Sequence, residues 1–447
     1  MAIQICLLLF VAPLIAAEGL DQTLLQDIFG QSDTYTPQAQ AVAVTPANGT
    51  LVDPDYWDSA EEFTPSPLGY DNFDWILTKR VAALSNDNFM LSPLGLKLAL
   101  GILTEAATGA TQTELMSVLG FDTDRNVIRQ KFSSILNSLQ TQSFQYILNL
   151  GSRIYIENNA EPRQRFAAIA EQYYRTELKK VDFKNPPLAT KEINNWVSNI
   201  THGKIRNLVD EDDVASVIIL VLNTLYFKGS WRHQFPPNAT KSASFYVSPT
   251  VQKPIQFMRI RARFYYTESA KFDAKILRMP YLGHKYAMYI VVPNSLTGLP
   301  KVLNDINQIR SALYDLKDEH VDVTLPKFNF DYTSILDGVL RDLGIRQIFE
   351  DTASLPGIAR GQLLQQRLRV SKVLQRSGIE VNELGSVAYS ATEVSLVNKF
   401  GEDSESYQEV IANKPFLFYI EDEVTRQLLF TGRVTDPSTS DGAFKLD

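Results

Sequence analysis

Helical periodicity grouped early in this chain and strand-like runs grouped late predict an α+β fold with antiparallel or mixed sheets. At 447 residues, with 45% hydrophobic and 21% charged side chains, the chain has the proportions of a globular protein with a large buried core. Neither an internal repeat nor a mid-chain linker divides it, so one large domain with a tail accounts for the length.

The first segment is a targeting signal. Ile3–Ala17 (IQICLLLFVAPLIAA) is uncharged, too short to span a bilayer comfortably, and ends in small residues before Glu18. That pattern predicts a secretory signal over residues 1–17, with an uncleaved anchor as the alternative because no basic residue precedes the apolar run. The single cysteine, Cys6, lies within it, so the mature chain has no thiol and no disulfide. Three acceptor sequons, at Asn48, Asn199 and Asn238, fit a secreted glycoprotein.

Residues 18–66 form an acidic extension. No Lys or Arg occurs before Lys79, whereas eleven of the 51 acidic residues do, so the 43 basic residues that follow meet only 40 acids. Prolines and the lack of sustained periodicity predict a flexible tail, with a short helix near Leu20–Phe29 or a docking motif around Tyr56-Trp57 as alternatives. Nowhere is there the basic excess that nucleic-acid binding requires.

From Tyr70, the spacing of Phe73, Ile76, Leu77, Val81 and Leu84 predicts a helix. Phe89-Met90-Leu91-Ser92-Pro93 predicts a short buried strand that turns into a helix over 94–103, and further helices are expected near 111–119, 126–140 and 162–178. Strands follow over 217–227, 286–292, 321–325 and 368–381. A C-terminal pair over 416–420 and 427–434 is expected to be joined by the charged turn Glu421-Asp422-Glu423.

Enzyme chemistry finds little support. There is no Gly-rich phosphate loop and no G-x-S-x-G elbow, and the four histidines (His202, His233, His284, His320) are scattered without metal-ligand spacing. No cofactor or metal is implied.

About thirty residues between Glu383 and Ala412 form the connection most suggestive of function. Its first half, from Gly385 to Thr392, has neither charge nor proline, and its second contains the acidic run Gly401–Ser406. With strand alternation, one face presents Ser386, Ala388, Ser390, Thr392, Val394 and Leu396. Such a segment can be an exposed loop or edge strand, yet it can also enter a sheet with that uncharged face against a core.

Several motifs in order resemble the serpins: Asn88–Leu94 (NFMLSPL), Ile193–Val197 with Thr201–Ile205, Asn223–Trp231 (NTLYFKGSW), Leu325–Phe328 (LPKF), Glu380–Glu383 (EVNE) and Lys414–Phe418 (KPFLF). The resemblance runs from about Gly69 to Pro437, so the serpin domain is placed at 67–437 with a C-terminal tail over 438–447. It implies three β-sheets, about eight or nine helices and an exposed reactive-centre loop. It also implies suicide inhibition: a target protease cleaves the loop, is held as an acyl-enzyme, and is carried away as the segment from Ser386 inserts into the central sheet.

Counting from Gly385 as inhibitory serpins do places the reactive bond at Lys399-Phe400. Lysine there implies a trypsin-like target, and cleavage after Phe400 by a chymotrypsin-like one is the next candidate. The hinge residues by this resemblance are Glu383, Gly385, Ser386, Ala388, Ser390 and Thr392; the sheet-opening region is Ser92, Pro93, Asn223, Trp231 and Gln375. Val397–Phe400 also resembles the reactive site of insect haemolymph serpins that restrain melanisation and Toll-pathway proteases, some with clip domains. The partner implied is therefore an extracellular serine protease bound covalently by a monomer, with no stable membrane association.

The sequence departs from the pattern at Leu384 (usually an acid), Tyr389 (usually alanine) and Gln375 (often histidine). Arg259, Arg261 and Arg263 share one strand face by alternation, but three charges make a weak footprint and no glycosaminoglycan site is assigned. A non-inhibitory carrier or binding protein of the same family is the alternative function.

Overall fold

The computed structural model describes residues 63, 72–139, 146–201, 203, 207–215, 217–360, 368–386, 406–439 and 441–444. Its helices are α1 (Asn72–Ala82), α2 (Pro93–Ala106), α3 (Gly109–Leu119), α4 (Arg125–Leu139), α5 (Gln164–Tyr174), α6 (Pro186–Ile200), α7 (Glu211–Val214), α8 (Leu299–Asp305), α9 (Ile309–Leu313) and α10 (Asp337–Asp342). The strands through the middle of the chain are β1 (Phe89–Leu91), β2 (Tyr146–Glu157), β3 (Glu161–Pro162), β4 (Thr176–Val181), β5 (Ile219–Ser230), β6 (Lys241–Ser248), β7 (Val251–Ser269), β8 (Ala274–Pro280) and β9 (Tyr286–Pro293). Then follow β10 (Lys317–Pro326), β11 (Phe328–Ile335), β12 (Ala359–Arg360), β13 (Lys372–Asn382), β14 (Gly385–Ser386), β15 (Gln408–Ile411), β16 (Phe416–Asp422), β17 (Gln427–Val434) and β18 (Asp441–Phe444).

Among the described residues these strands form three sheets. A nine-stranded sheet runs β1-β17-β16-β9-β8-β7-β10-β15 with β6 paired to β7, a seven-stranded sheet runs β18-β11-β13-β14-β5-β2-β4, and β12 pairs with β3. The arrangement is the expected α+β class, and its central strands explain themselves: β9, β16 and β17 are buried at every position, which near-continuous apolar runs allow.

Helix α2 holds the two large sheets' shared core together. All fourteen of its residues are buried, Ser92 caps its N-terminus by accepting from the Gly95 amide at 3.2 Å, and Pro93 opens the first turn. Its one basic residue, Lys97, pairs with Asp74 of α1 at 3.0 Å, both side chains 2% exposed. Such a pair carries a large desolvation cost, so removing either partner alone would destabilise by about 3–5 kcal/mol.

Two sequence expectations give way to long-range structure. The helix expected over 162–178 ends at Tyr174, because Arg175 takes a left-handed conformation (φ 49°) and the next residues pair in parallel with β2 as strand β4. The turn expected at Glu421–Glu423 begins two residues later, at Glu423: β16 continues through Asp422, which is fully buried and whose carboxylate accepts from the Val424 and Thr425 amides.

Candidate functional site

The centre of the seven-stranded sheet is a seam between two strands distant in sequence. β13 and β5 pair in parallel from Lys372↔Leu220 to Gly378↔Tyr226, placing Gln375 directly beside Asn223. Gln375 Nε2 donates to Asn223 Oδ1 at 3.2 Å and to the Ser92 carbonyl at 2.9 Å, while its Oε1 accepts from the Ser92 amide at 2.7 Å. Asn223 Nδ2 in turn donates to the Gly151 carbonyl on β2 at 3.4 Å. One buried amide pair thus links the start of α2 to three strands across the centre of the sheet.

Gly95 permits this contact. A Cβ there would lie 2.0 Å from Asn223 Oδ1, so any larger residue would expel the amide from its place. Register extends the polar pair into a row, since Ser334 lies opposite Gln375 and Ser152 opposite Asn223. Ser334 and Ser152 are both buried, so the centre of this sheet carries a row of polar side chains.

At the upper end of the seam the chain doubles back. After β13, Gly385 and Ser386 form β14, antiparallel to both neighbours: Gly385 stands opposite Asn382 and Ser230, and Ser386 opposite Val381 and Gly229. The start of the loop is therefore already hydrogen-bonded between β13 and β5. Gly385 is required there, with φ +149° and the Gly229 carbonyl 2.0 Å from where a Cβ would be. Trp231, 1% exposed and stacked on Tyr281 at 4.5 Å, buttresses the bend. Its ring Nε1 donates to the Asn382 carbonyl at 3.0 Å and its amide to the Leu384 carbonyl at 2.9 Å.

Glu383 clasps the bend from the other side. Its carbonyl accepts from the Phe235 amide at 2.9 Å, and its carboxylate accepts from the Thr240 hydroxyl at 2.8 Å and pairs with Lys327 at 2.9 Å. Burial works to raise its pKa, but the hydrogen bonds from Lys327, its own backbone and Thr240 outweigh burial and hold the carboxyl below its ordinary value. Sequence reasoning named Glu383 but assigned no role to Lys327 or Thr240. Lys327 sits in the LPKF motif, directly after β10, and its position in that motif was the available signal.

The expected sites divide as follows. Ser92, Pro93, Asn223, Gln375, Trp231, Glu383, Gly385 and Ser386 converge on the seam and its upper end, whereas Ala388, Ser390, Thr392, Lys399, Phe400 and Asn48 lie outside the described residues. Asn199, in the last turn of α6, and Asn238 are exposed. Arg259, Arg261 and Arg263 do share one face of β7, but the carboxylate of Asp322 bonds both Arg259 and Arg261, and Asp318 bonds Arg263. Burial works to raise the Asp322 pKa, and the two guanidinium hydrogen bonds overcome it and hold Asp322 ionised. Among the described residues no cluster of metal-ligating side chains occurs, and no helix is long and apolar enough to cross a membrane.

A family model described as Serpin (serine protease inhibitor) matches residues 69–437. Serine protease inhibitor 2 of Anopheles gambiae is 38% identical over 376 residues, covering 82% of this chain and 91% of the mosquito protein. The structure of Serpin48, a highly specific serpin in the insect Tenebrio molitor, superposes with a TM-score of 0.73 at 30% identity, covering 81% of this chain and 96% of that one. Thyroxine-binding globulin in complex with thyroxine shares the fold at 24% identity and a TM-score of 0.75, covering 83% and 98% of the two chains. With a family model across most of its length and an insect inhibitor 38% identical to it, the chain belongs to the serpins, the serine protease inhibitor family, and is not itself a protease.

Proposed function

We propose that this serpin is a secreted inhibitor that traps a trypsin-like serine protease as a covalent acyl complex after cleavage of Lys399-Phe400. The observation that carries the reading is the placement of Gly385 and Ser386 between β5 and β13 at the mouth of the seam. The protease serine attacks the Lys399 carbonyl carbon, the amide to Phe400 breaks, Phe400 leaves as a free amine, and an ester joins the enzyme to Lys399. The freed segment then continues the pairing that Gly385 and Ser386 have begun.

That register can be followed down the seam. Each residue added to the new strand moves one residue back along both neighbours, so Ala388 comes opposite Ile379 and Phe227, Ser390 opposite Ser377 and Leu225, and Thr392 opposite Gln375 and Asn223. The uncharged face enters the core side, and Thr392 enters the polar row. Glu393, on the other face, comes opposite Leu374 and Leu222, with Lys372 and Arg376 diagonal to it on β13. Insertion replaces one parallel ladder by two antiparallel ones, which are more stable per residue. Fourteen inserted residues at about 3.3 Å each would carry the tethered protease roughly 45 Å. Pulling on its acyl serine withdraws the ester from the oxyanion hole and halts deacylation.

Residues 1–17 as a cleaved signal, together with the sequons at Asn199 and Asn238, support secretion, and the resemblance of Val397–Phe400 to the reactive site of insect haemolymph serpins supports a negative regulator of an extracellular cascade such as melanisation or Toll signalling. Thyroxine-binding globulin supports the second reading, a carrier of the same fold. Incubation of the mature protein with trypsin separates the two. An adduct that survives SDS, with a released peptide beginning at Phe400, is the expected result. Cleavage after Lys399 with no adduct and no gain in heat stability favours the carrier.

A further inference from the structure

Phe63, the described residue of 18–66, is seated on the domain. The seat is a row across the nine-stranded sheet, where Tyr265 of β7 pairs with Arg278 of β8, and Arg278 with Tyr289 of β9. The Phe63 ring lies over the Arg278 guanidinium, 4.5 Å from Cζ to the ring centroid, edge-on to Tyr265 at 5.3 Å and tilted against Tyr289 at 6.5 Å. Its backbone amide donates to the Tyr265 hydroxyl at 3.1 Å.

The row is built to receive a ring. Arg278 is 3% exposed and held flat by two hydrogen bonds to the Glu423 carboxylate, at 2.8 and 2.7 Å, while the Tyr289 hydroxyl donates to the same carboxylate at 2.6 Å. With its edge held by Glu423, the guanidinium presents its face to the Phe63 ring. On this side of the sheet α8 and α9 cover the end near Ala274 and Ile276, and Phe63 covers the end at Arg278.

We propose that Tyr265, Arg278 and Tyr289 form a binding site for an aromatic side chain, with Phe63 as its resident ligand, so that the chain is anchored to the serpin domain at residue 63. Removing the ring takes away a cation–π contact with a desolvated arginine together with two ring contacts, and in a domain of this size the thermal midpoint should fall by on the order of 2 °C.

The test uses the full mature chain. Phe63→Ala should lower the midpoint and raise the exchange rate of the residue-63 amide at least about tenfold. Tyr265→Phe, which removes only the acceptor hydroxyl, should raise that rate while retaining most of the midpoint. A synthetic peptide of residues 57–69 should restore the midpoint of Phe63→Ala when added in trans, and the same peptide with alanine at position 63 should not. A residue-63 amide that exchanges at the unprotected rate in the wild-type protein, or a Phe63→Ala variant whose midpoint neither falls nor responds to the peptide, would overturn the proposal.

Discussion

Gln375 and Asn223 sit side by side across the parallel seam of β13 and β5, and the hydrogen bond from Gln375 Nε2 to Asn223 Oδ1 at 3.2 Å joins the two strands through their side chains. Gln375 also satisfies both backbone groups of Ser92, so this neutral amide performs three functions that no single apolar residue could. Being neutral, it gives the seam no titrating group of its own.

Gln375→Ala should therefore be costly. It leaves the Ser92 amide and carbonyl and Asn223 Oδ1 buried without these partners, and the native state should lose about 3 kcal/mol, seen as a lower denaturation midpoint. Gln375→Glu should be worse at pH 7 than at pH 5, because a carboxylate cannot donate to the Ser92 carbonyl whereas the protonated acid can. Equal midpoints for wild type and Gln375→Ala would show that the network contributes nothing.

Thr392→Arg should separate cleavage from trapping. If the register begun by Gly385 and Ser386 continues, a guanidinium at this position would have to enter the buried row between Gln375 and Asn223, and burying it unpaired costs several kcal/mol. Proteases should cut the variant loop at the wild-type rate, while the ratio of adduct to cleaved product on a denaturing gel falls at least about tenfold. An unchanged ratio would place the inserting strand in another register.

The clasp at Glu383 should impose a pH dependence of definite sign. Lys327 and Thr240 hold the folded carboxyl below its unfolded value, so its contribution is present above the unfolded value, about 4.3, and disappears as pH falls through the folded one. Glu383→Gln should consequently be less stable than wild type at pH 7, with the gap closing in acid. A gap that persisted at pH 3 would mean that the carboxylate charge is not what secures the bend.

Asp322 accounts for the ordinary behaviour expected of the β7 arginines. Since one carboxylate bonds both Arg259 and Arg261, wild-type protein should elute from immobilised heparin at low salt, and Asp322→Asn, which frees two guanidiniums, should elute at distinctly higher salt. Co-elution of the two proteins would show that these arginines are inaccessible to polyanions.

Much of the fold was legible because its signals are local. The helical spacing from Phe73 to Val81, the strand-turn-proline run at Phe89–Pro93 and the apolar run of β16 each depend on burial within a few residues and appear where expected, though Ile76 of the helical set is exposed and Leu84 lies beyond the helix end. Helix α5 stopped short of its expected end because residues 176–181 gained a strand partner, and pairing with β2 outweighs helical propensity. The motifs likewise identified Ser92, Asn223, Trp231 and Glu383, though not what each one touches.

Composition, period and motif alone established the α+β class, the family resemblance and the uncharged alternating face from Ser386 to Leu396, since these are properties of residues and their near neighbours. Only long-range pairing revealed that Gln375 closes the gap between Ser92 and Asn223, that Lys327 and Thr240 hold Glu383, that the loop begins inside the sheet, and that Phe63 rests on Arg278. The reason is physical: hydrogen bonds and ring contacts act over a few ångströms of space, and folding brings together groups whose separation along the chain carries no trace of that proximity.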